Sequence, residues 1–354
     1  MHNKFKLKNY FLISKNLNLN NYSIEKNSIN YEYGIKTSIK IKDYHGKKSF
    51  FIGDPYINDK KYDNIYEFWS LNSNNINCYS QIDSEFVIVE VDINNNVKIV
   101  NSRFSSPQIF YYISNKFFLA STNYFVIAFI LKKLNIFKIN DLSVFELLNF
   151  RRLFHNSTLD INTKILEPAS CLIYENNKLT KNIYWKASFK KEKKDKYKYA
   201  LELIKAIEKS KLIKKIKKTD KKYLMLSGGL DTRFIASILK NFEGSYTIAY
   251  EKNIEYKVAN TIAQIKKIKH EFVKVKNDHY KKNFLYNIRV IGGSYMGDSL
   301  LMGHDKISKN SKILFSGYGL DYFFQGMYIP VNFFKIFGKK TFFKIKKKIN
   351  KPVS

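Results

Sequence analysis

Leu226-Ser227-Gly228-Gly229-Leu230-Asp231-Thr232-Arg233 is the stretch on which the reading of this 354-residue chain turns. The apolar run Tyr223–Leu226 before it reads as a strand, and Asp231–Leu239 after it has helical spacing. Two glycines between a strand and a helix let the backbone come close to an anion, toward which the helix N-terminus presents unpaired N–H groups. Ser227 and Thr232 add hydroxyl donors. The result is a phosphate cradle, though not of the Walker type, because no Gly-Lys-Ser/Thr ends it. Asp231 is informative: a carboxylate facing phosphate makes sense if Mg²⁺ lies between them. The plainer alternative is a glycine turn with Asp231 capping the helix.

Strands and helices alternate around this loop. Tyr197–Lys218 and Glu255–Ile268 have helical periodicity, Ser245–Tyr250 and His270–Val275 read as strands, and helical material is expected near Ile288–Ile307. A fourth strand, Lys312–Phe315, leads into Ser316-Gly317-Tyr318-Gly319-Leu320-Asp321, which begins 89 positions after Ser227. The alternation predicts a doubly wound parallel sheet, whose C-terminal loops share one edge. Asp231 and Asp321 would then hold Mg²⁺ together. Alone, the second loop reads equally well as a glycine-rich turn with Asp321 as the cap.

The first half is β-rich. Glu85–Val91 and Val97–Arg103 flank a turn at 92–96, and Gln108–Ile113 and Phe117–Ser121 repeat the pattern. Helices are expected at Tyr124–Leu134 and Ser143–Phe150, the latter capped by Asp141 or Ser143. Lys164–Tyr174 reads as an irregular strand that turns back at Asn176-Asn177-Lys178. A lysine-rich stretch, Lys190–Lys196, marks a linker, which puts the domains at 1–190 and 191–354.

Composition narrows the classes. Hydrophobic residues are 45% and aromatics 16%, enough for two cores and against disorder. The longest apolar run, Phe125–Leu131, is far short of the ~20 residues that span a bilayer, and the N-terminus lacks an apolar signal core. Cys78 and Cys171 make neither a disulfide framework nor a zinc pattern. A soluble cytoplasmic protein with no membrane partner is expected. The net charge of +32 invites a nucleic-acid reading, but only five of the 62 basic residues are arginine, the residue that reads phosphate and base edges bidentately. Solvated lysine faces explain the charge better, and no nucleic-acid partner is expected.

These motifs together resemble the asparagine synthetase family of the glutamine-hydrolysing type. Ser227-Gly228-Gly229-Leu230-Asp231 is similar to its ATP-pyrophosphatase loop, Glu255–His270 to the helix and strand that follow, and Ser316–Gly326 to its second loop. Phe86–Ser121, Glu167-Pro168 and Tyr184-Trp185 resemble its N-terminal domain. The resemblance implies an Ntn-type, glutaminase-like αββα domain followed by a doubly wound ATP-pyrophosphatase domain. It implies a ligase that adenylates a carboxylate with ATP and transfers it to ammonia or another amine. Ser227, Gly228, Gly229, Asp231 and Thr232 would hold pyrophosphate and metal, Leu226 and Ile248 would line the adenine and ribose pocket, and Ser316 and Gly317 would lie along the nucleotide. Asp231 and Asp321 would ligate Mg²⁺. Expected partners are a small carboxylate, an amine donor, and a second copy of the chain or a separate C-terminal subunit.

Two positions depart from the family pattern. His2 stands where glutamine-hydrolysing members have the nucleophilic cysteine, so the N-terminal domain is expected to be degenerate and inactive. Tyr318 stands where asparagine synthetases have glutamate and resembles the β-lactam synthetases, which implies a base acting on the amine; stacking or packing is the alternative. Relative to the family the chain is expected to be truncated after the second loop. The alternatives to an active ligase are a non-catalytic or split-subunit ATP-binding remnant and a tRNA-modifying ATPase that shares the pyrophosphatase loop. His270 reads as a core or strand-edge residue, Asp298 as a cap, and His304-Asp305 as too few ligands for a metal. Arg103 is expected to be structural.

Overall fold

In the first half, apolar residues occupy both faces of several strands, which requires layers on either side. The computed structural model describes residues 11–17, 29–30, 35–37, 42–44, 46–53, 55–57, 64–188, 195–209, 221–279, 281, 284–285, 288, 291–295, 313–320, 333–336 and 339–342. The chain divides into two compact units, one of residues 1–194 and 278–300 and one of 195–277 and 301–354. The segment 278–300, which linear order keeps with the second unit, groups with the first.

The first unit contains β1 (Phe11–Lys15), β2 (Ile29–Asn30), β3 (Ile35–Thr37), β4 (Lys42–Tyr44), β5 (Lys47–Gly53), β6 (Tyr56–Ile57), β7 (Ile82–Asp83), β8 (Phe86–Val91), β9 (Val97–Asn101), β10 (Phe110–Ile113), β11 (Phe118–Ser121), β12 (Lys164–Ile165), β13 (Ser170–Glu175) and β14 (Lys178–Ile183). Its helices are α1 (Ile65–Asn72), α2 (Tyr124–Lys133) and α3 (Asp141–Phe150). Two antiparallel sheets form, in the orders β12-β10-β11-β1-β3-β2 and β14-β13-β9-β8-β5-β4.

Period-two alternation assigns the layers. Val87, Val89 and Val91 of β8 meet Ile13, Tyr111 and Phe118 of the other sheet in a shared core. Phe86 and Ile88 point the other way, onto Phe68 and Trp69 of α1. On the far face of the first sheet, Leu12, Phe110 and Leu119 pack against Ile127 and Ile130 of α2. The order is helix, sheet, sheet, helix.

Two local readings are corrected. The cap of α3 is Asn140, whose side chain accepts from the Ser143 N–H, rather than Asp141 or Ser143. Asn suits that position as well as Asp or Ser does, and one residue of register decides. Lys164–Tyr174 is not one strand: β12 pairs with β10 and β13 with β9, in different sheets. Pro168 and Ala169, the latter at φ +55°, turn the chain between them. Positions 279, 281, 284–285 and 288 are helical and the chain turns at 291–293; of the helical material expected near Ile288–Ile307, 289–290 and 296–307 lie outside the described residues.

The second unit alternates as expected: α4 (Lys196–Lys209), β15 (Lys222–Met225), α5 (Leu230–Ile238), β16 (Gly244–Ala249), α6 (Ile254–Ile265), β17 (His270–Lys274) and β18 (Ile313–Phe315). The expected continuation of α4 to Lys218 lies outside the described residues. The strands pair in parallel in the order β17-β16-β15-β18. Leu224, Leu226 and Phe315 meet Ala236 of α5 and Ala259 and Ala263 of α6, where alanines let the helices lie close. An unforeseen hairpin, β19 (Phe333–Ile336) with β20 (Lys339–Phe342), follows.

A buried ion cluster braces the first unit. The Glu90 carboxylate, 4% exposed, accepts from Trp69 Nε1–H at 2.8 Å, from Lys98 at 3.2 Å and from Lys47 at 3.5 Å. Lys98 also donates to the Ser73 carbonyl at 2.8 Å. Removing one partner strands a buried charge, so Lys98→Met is expected to lower unfolding free energy by about 3 kcal/mol in urea titrations. Lys181→Met, which breaks a more exposed pair with Glu167, is expected to change it by less than ~1 kcal/mol.

Candidate active site

In the order β17-β16-β15-β18 the chain direction around the sheet reverses between β15 and β18. That reversal is a topological switch point, where the loops leaving two neighbouring strands part and open a crevice. Residue 226–229 backbone leaves β15 there, and 316–319 leaves β18, whose Phe315 is in register with Leu224.

The two loops touch. A Cβ built on Gly317 would lie 2.8 Å from Asp231 Cβ and 2.9 Å from the Thr232 nitrogen, so only glycine lets the second loop rest on the first turn of α5. Gly228 is constrained differently: its φ is +78°, and a Cβ there would sit 2.9 Å from the Glu255 carbonyl and 3.0 Å from Val258 Cβ of α6. Gly229 is the N-cap and no side chain caps the helix. The first-turn N–H groups therefore face the loop side without the usual Ser, Asp or Asn in front of them. Asp231, in that first turn, is half-buried and does not occupy the cap position. This removes the reading of Asp231 as a helix cap.

Of the expected site residues, the structure brings together Ser227, Gly228, Gly229, Asp231, Thr232 and Gly317. Ser316 is exposed beside them, and its hydroxyl accepts from the Tyr318 N–H at 3.3 Å. Tyr318 is 69% exposed. Thr232 is turned inward: it is 7% exposed, its hydroxyl donates to the Gly229 carbonyl at 3.2 Å, and Ser227 Oγ is 3.4 Å away. It closes the loop on itself rather than offering a proton outward. Leu226 and Ile248 are not brought together. Leu226 is fully buried beneath the helices, while Ile248 belongs to the cluster of Tyr246, Met225 and Val273 on the opposite face. Strand alternation forces that separation. Asp321, Asp298, His304, Asp305 and His2 lie outside the described residues. Among the described residues, no three His, Cys, Asp or Glu side chains cluster as a metal site.

The first-unit candidates have structural partners. Arg103 pairs with Asp83 at 2.7 Å and donates to the Ser80 carbonyl. Cys171 is buried on β13 and burial pushes its thiol up to about 11, the opposite of what a nucleophile needs. Cys78 is half-buried against the α1 cluster.

One brace escaped the sequence reading. The Leu226 carbonyl, the last before the loop, accepts from the Thr247 hydroxyl at 2.5 Å. Because that single proton is committed, Thr247 Oγ must accept from His270 Nε2 at 3.1 Å. His270 Nδ1 lies 2.8 Å from the Ser245 hydroxyl, which also reaches the Lys269 carbonyl at 3.4 Å. The ring stacks on Tyr256 of α6, with centroids 5.5 Å apart. Burial lowers the ring's pKa below the ordinary 6.5, opposed by nearby Glu271, and so favours the neutral imidazole. The available signal was Ser245 and Thr247, two polar residues two apart on a strand.

A doubly wound sheet with a glycine loop on an uncapped helix at its switch point is an architecture for anionic ligands. The donor set, N–H groups with one adjacent carboxylate, fits a polyphosphate accompanied by a divalent cation. Residues 217–336, roughly a third of the chain, match the family model described as asparagine synthase, and this span contains β15 to β18 and both loops. No curated protein sequence matches the chain. A solved glutamine phosphoribosylpyrophosphate amidotransferase from B. subtilis, complexed with ADP and GMP, is similar at 6% identity with a TM-score of 0.28, over 78% of this chain and 64% of that one. A likeness that slight carries no inference.

Thr247→Val leaves the Leu226 carbonyl buried without its partner and is expected to cost about 2 kcal/mol of stability. The lowered His270 pKa means the unfolded chain binds that proton more readily. Stability from this site is present above pH 6.5 and lost as pH falls through the folded value. Thermal melts from pH 8 to pH 5 are expected to fall more steeply below 6.5 in the parent chain than in His270→Gln.

Proposed function

We propose that the chain is an ATP-dependent amide-forming ligase, asparagine-synthase-like in its chemistry. The observation that carries this reading is the approach of Gly317 to Asp231 and Thr232 at the switch point, inside the segment that matches the asparagine synthase model. In the proposed reaction a carboxylate oxygen attacks the α-phosphorus of ATP and expels pyrophosphate. An amine then attacks the acyl carbon of the adenylate, loses a proton and displaces AMP.

The residues divide this work by their chemistry. The N–H groups of Gly228, Gly229 and the first turn of α5 are oriented donors for the phosphates that leave, and orientation before reaction is what lowers the barrier. Ser227 and Ser316 flank them with hydroxyls. Asp231, with Asp321, would hold Mg²⁺, which when bound neutralises charge on the leaving pyrophosphate. Tyr318, mostly in solvent, is the candidate acceptor for the amine proton; a phenol of ordinary pKa ~10 needs a carboxylate partner for that role. The Thr247–His270 brace holds the peptide that begins the loop.

The first unit has a helix, sheet, sheet, helix layering that suits a glutaminase-like domain. Its buried Cys171 and structural Arg103 suit one without glutaminase activity. On this reading ammonia or an amine arrives from outside.

ATP–pyrophosphate exchange over a panel of carboxylic acids tests the proposal. At least one acid is expected to support exchange, and Asp231→Asn and Gly317→Ala are each expected to lower it by at least ~100-fold while circular dichroism stays unchanged. Binding of ATP with no exchange for any acid would favour a non-catalytic nucleotide-binding protein instead. Cys171→Ser is expected to leave exchange unaltered.

A further inference from the structure

The outer face of α3 is built as a contact surface. Leu142, Phe145 and Leu148 stand three residues apart on one side of the helix and are 66%, 57% and 69% exposed. Ile139, just before the helix, is 61% exposed as well, whereas Phe150 lies away from this stripe and packs edge-on against Phe154, with ring centroids 5.4 Å apart. Several large apolar side chains this open reach the ~300–600 Å² that the largest patch of a monomer typically shows. Only Ser143 of the helix is buried. The segment is well ordered by its own bonds all the same: Asn140 caps it, and the Glu146 carboxylate accepts from the Phe154 N–H at 3.0 Å.

Its composition is that of an interface. Lysine is roughly one residue in six of the whole chain, yet residues 139–163 contain none, although much of the segment is exposed. Two of the five arginines, Arg151 and Arg152, are here, and Arg152 lies over the Phe154 ring at 4.8 Å. Contact surfaces are enriched in aromatics and arginine and depleted in lysine.

We propose that this face pairs with the same face of a second copy, the two α3 helices running antiparallel about a two-fold axis. The charge pattern selects that partner. Asp141 lies in the first turn and Arg151 and Arg152 follow the last, so antiparallel pairing sets the acidic end of each helix against the basic end of the other, twice. The helix dipoles oppose one another in the same arrangement. The pairing does not depend on the ligase reading.

Sedimentation velocity of the full chain over a range of concentrations tests it, with folding followed by circular dichroism. A dimer with a roughly micromolar dissociation constant is expected. Phe145→Glu is expected to weaken it by at least about 30-fold, as for a central apolar anchor. Asp141→Arg and Arg152→Glu each place like charges together and are expected to sediment as monomers. An equimolar mixture of those two variants restores both contacts of the two-fold pair and is expected to dimerise. A parent chain that stays monomeric up to ~100 μM, a dimer indifferent to Phe145→Glu, or a mixture that remains monomeric would overturn the proposal.

Discussion

No Cβ fits between Gly317 and the first turn of α5, and the second unit is arranged to make that contact. Neighbouring strands lie ~4.8 Å apart, so loops leaving them can touch backbone to backbone. The contact therefore rests on the direct pairing of β18 with β15, through Tyr223 and Leu314. It also requires the other two strands to lie on the far side of β15, which places both α5 and α6 over Leu224 and Leu226. The alanines at 236, 259 and 263 are the packing consequence: larger residues would lift the helices and carry Asp231 away from Gly317. Gly228 answers to the same constraint from the other direction, since the α6 backbone at Glu255 fills the space where its side chain would be.

The loops were legible because their physics is local. Glycine between a strand and a helix has few uses, and two such turns after two predicted strands imply one edge of one sheet. What was not legible depends on neighbours distant in sequence. The inward turn of Thr232 follows from Gly229 leaving its carbonyl within reach, a detail of one helical turn that a motif does not encode. The separation of Leu226 from Ile248 follows from which face α5 and α6 cover. His270 was readable as a strand-edge residue. Its bond to Thr247, and through it to the loop, needed the register of β16 with β17, where Ser245 stands opposite His270. The cap of α3 fell to Asn140 because three good capping residues stand within four positions and only backbone geometry separates them.

Packing and one buried ion cluster account for the residues inside the first unit. Its cores are formed by alternation along β8, β9 and β13. Cys171 contributes volume to the α1 layer, where burial keeps the thiol protonated. Glu90 is a charged residue at a buried position, held by an indole N–H and two ammonium groups. Such a cluster adds little net stability over apolar packing, but it fixes which residues can face one another across β5, β8 and β9.

The charge of +32 bears on both proposals, and in opposite directions only at first sight. A strongly basic protein attracts polyanions over long range and speeds the arrival of a nucleotide, without selecting one. The same charge opposes the meeting of two copies. At physiological ionic strength, however, fields decay over ~8 Å, so repulsion between copies is governed by the charges nearest the contact and not by the total. Around α3 those are Asp141 and Glu146 against Arg151 and Arg152, with Lys138 just before the helix. Lys138 borders the lysine-free stretch, so the proposed pairing must leave its ammonium in solvent. The acidic and basic ends of α3 offset one another, and that local balance is the condition under which so basic a chain would pair with itself.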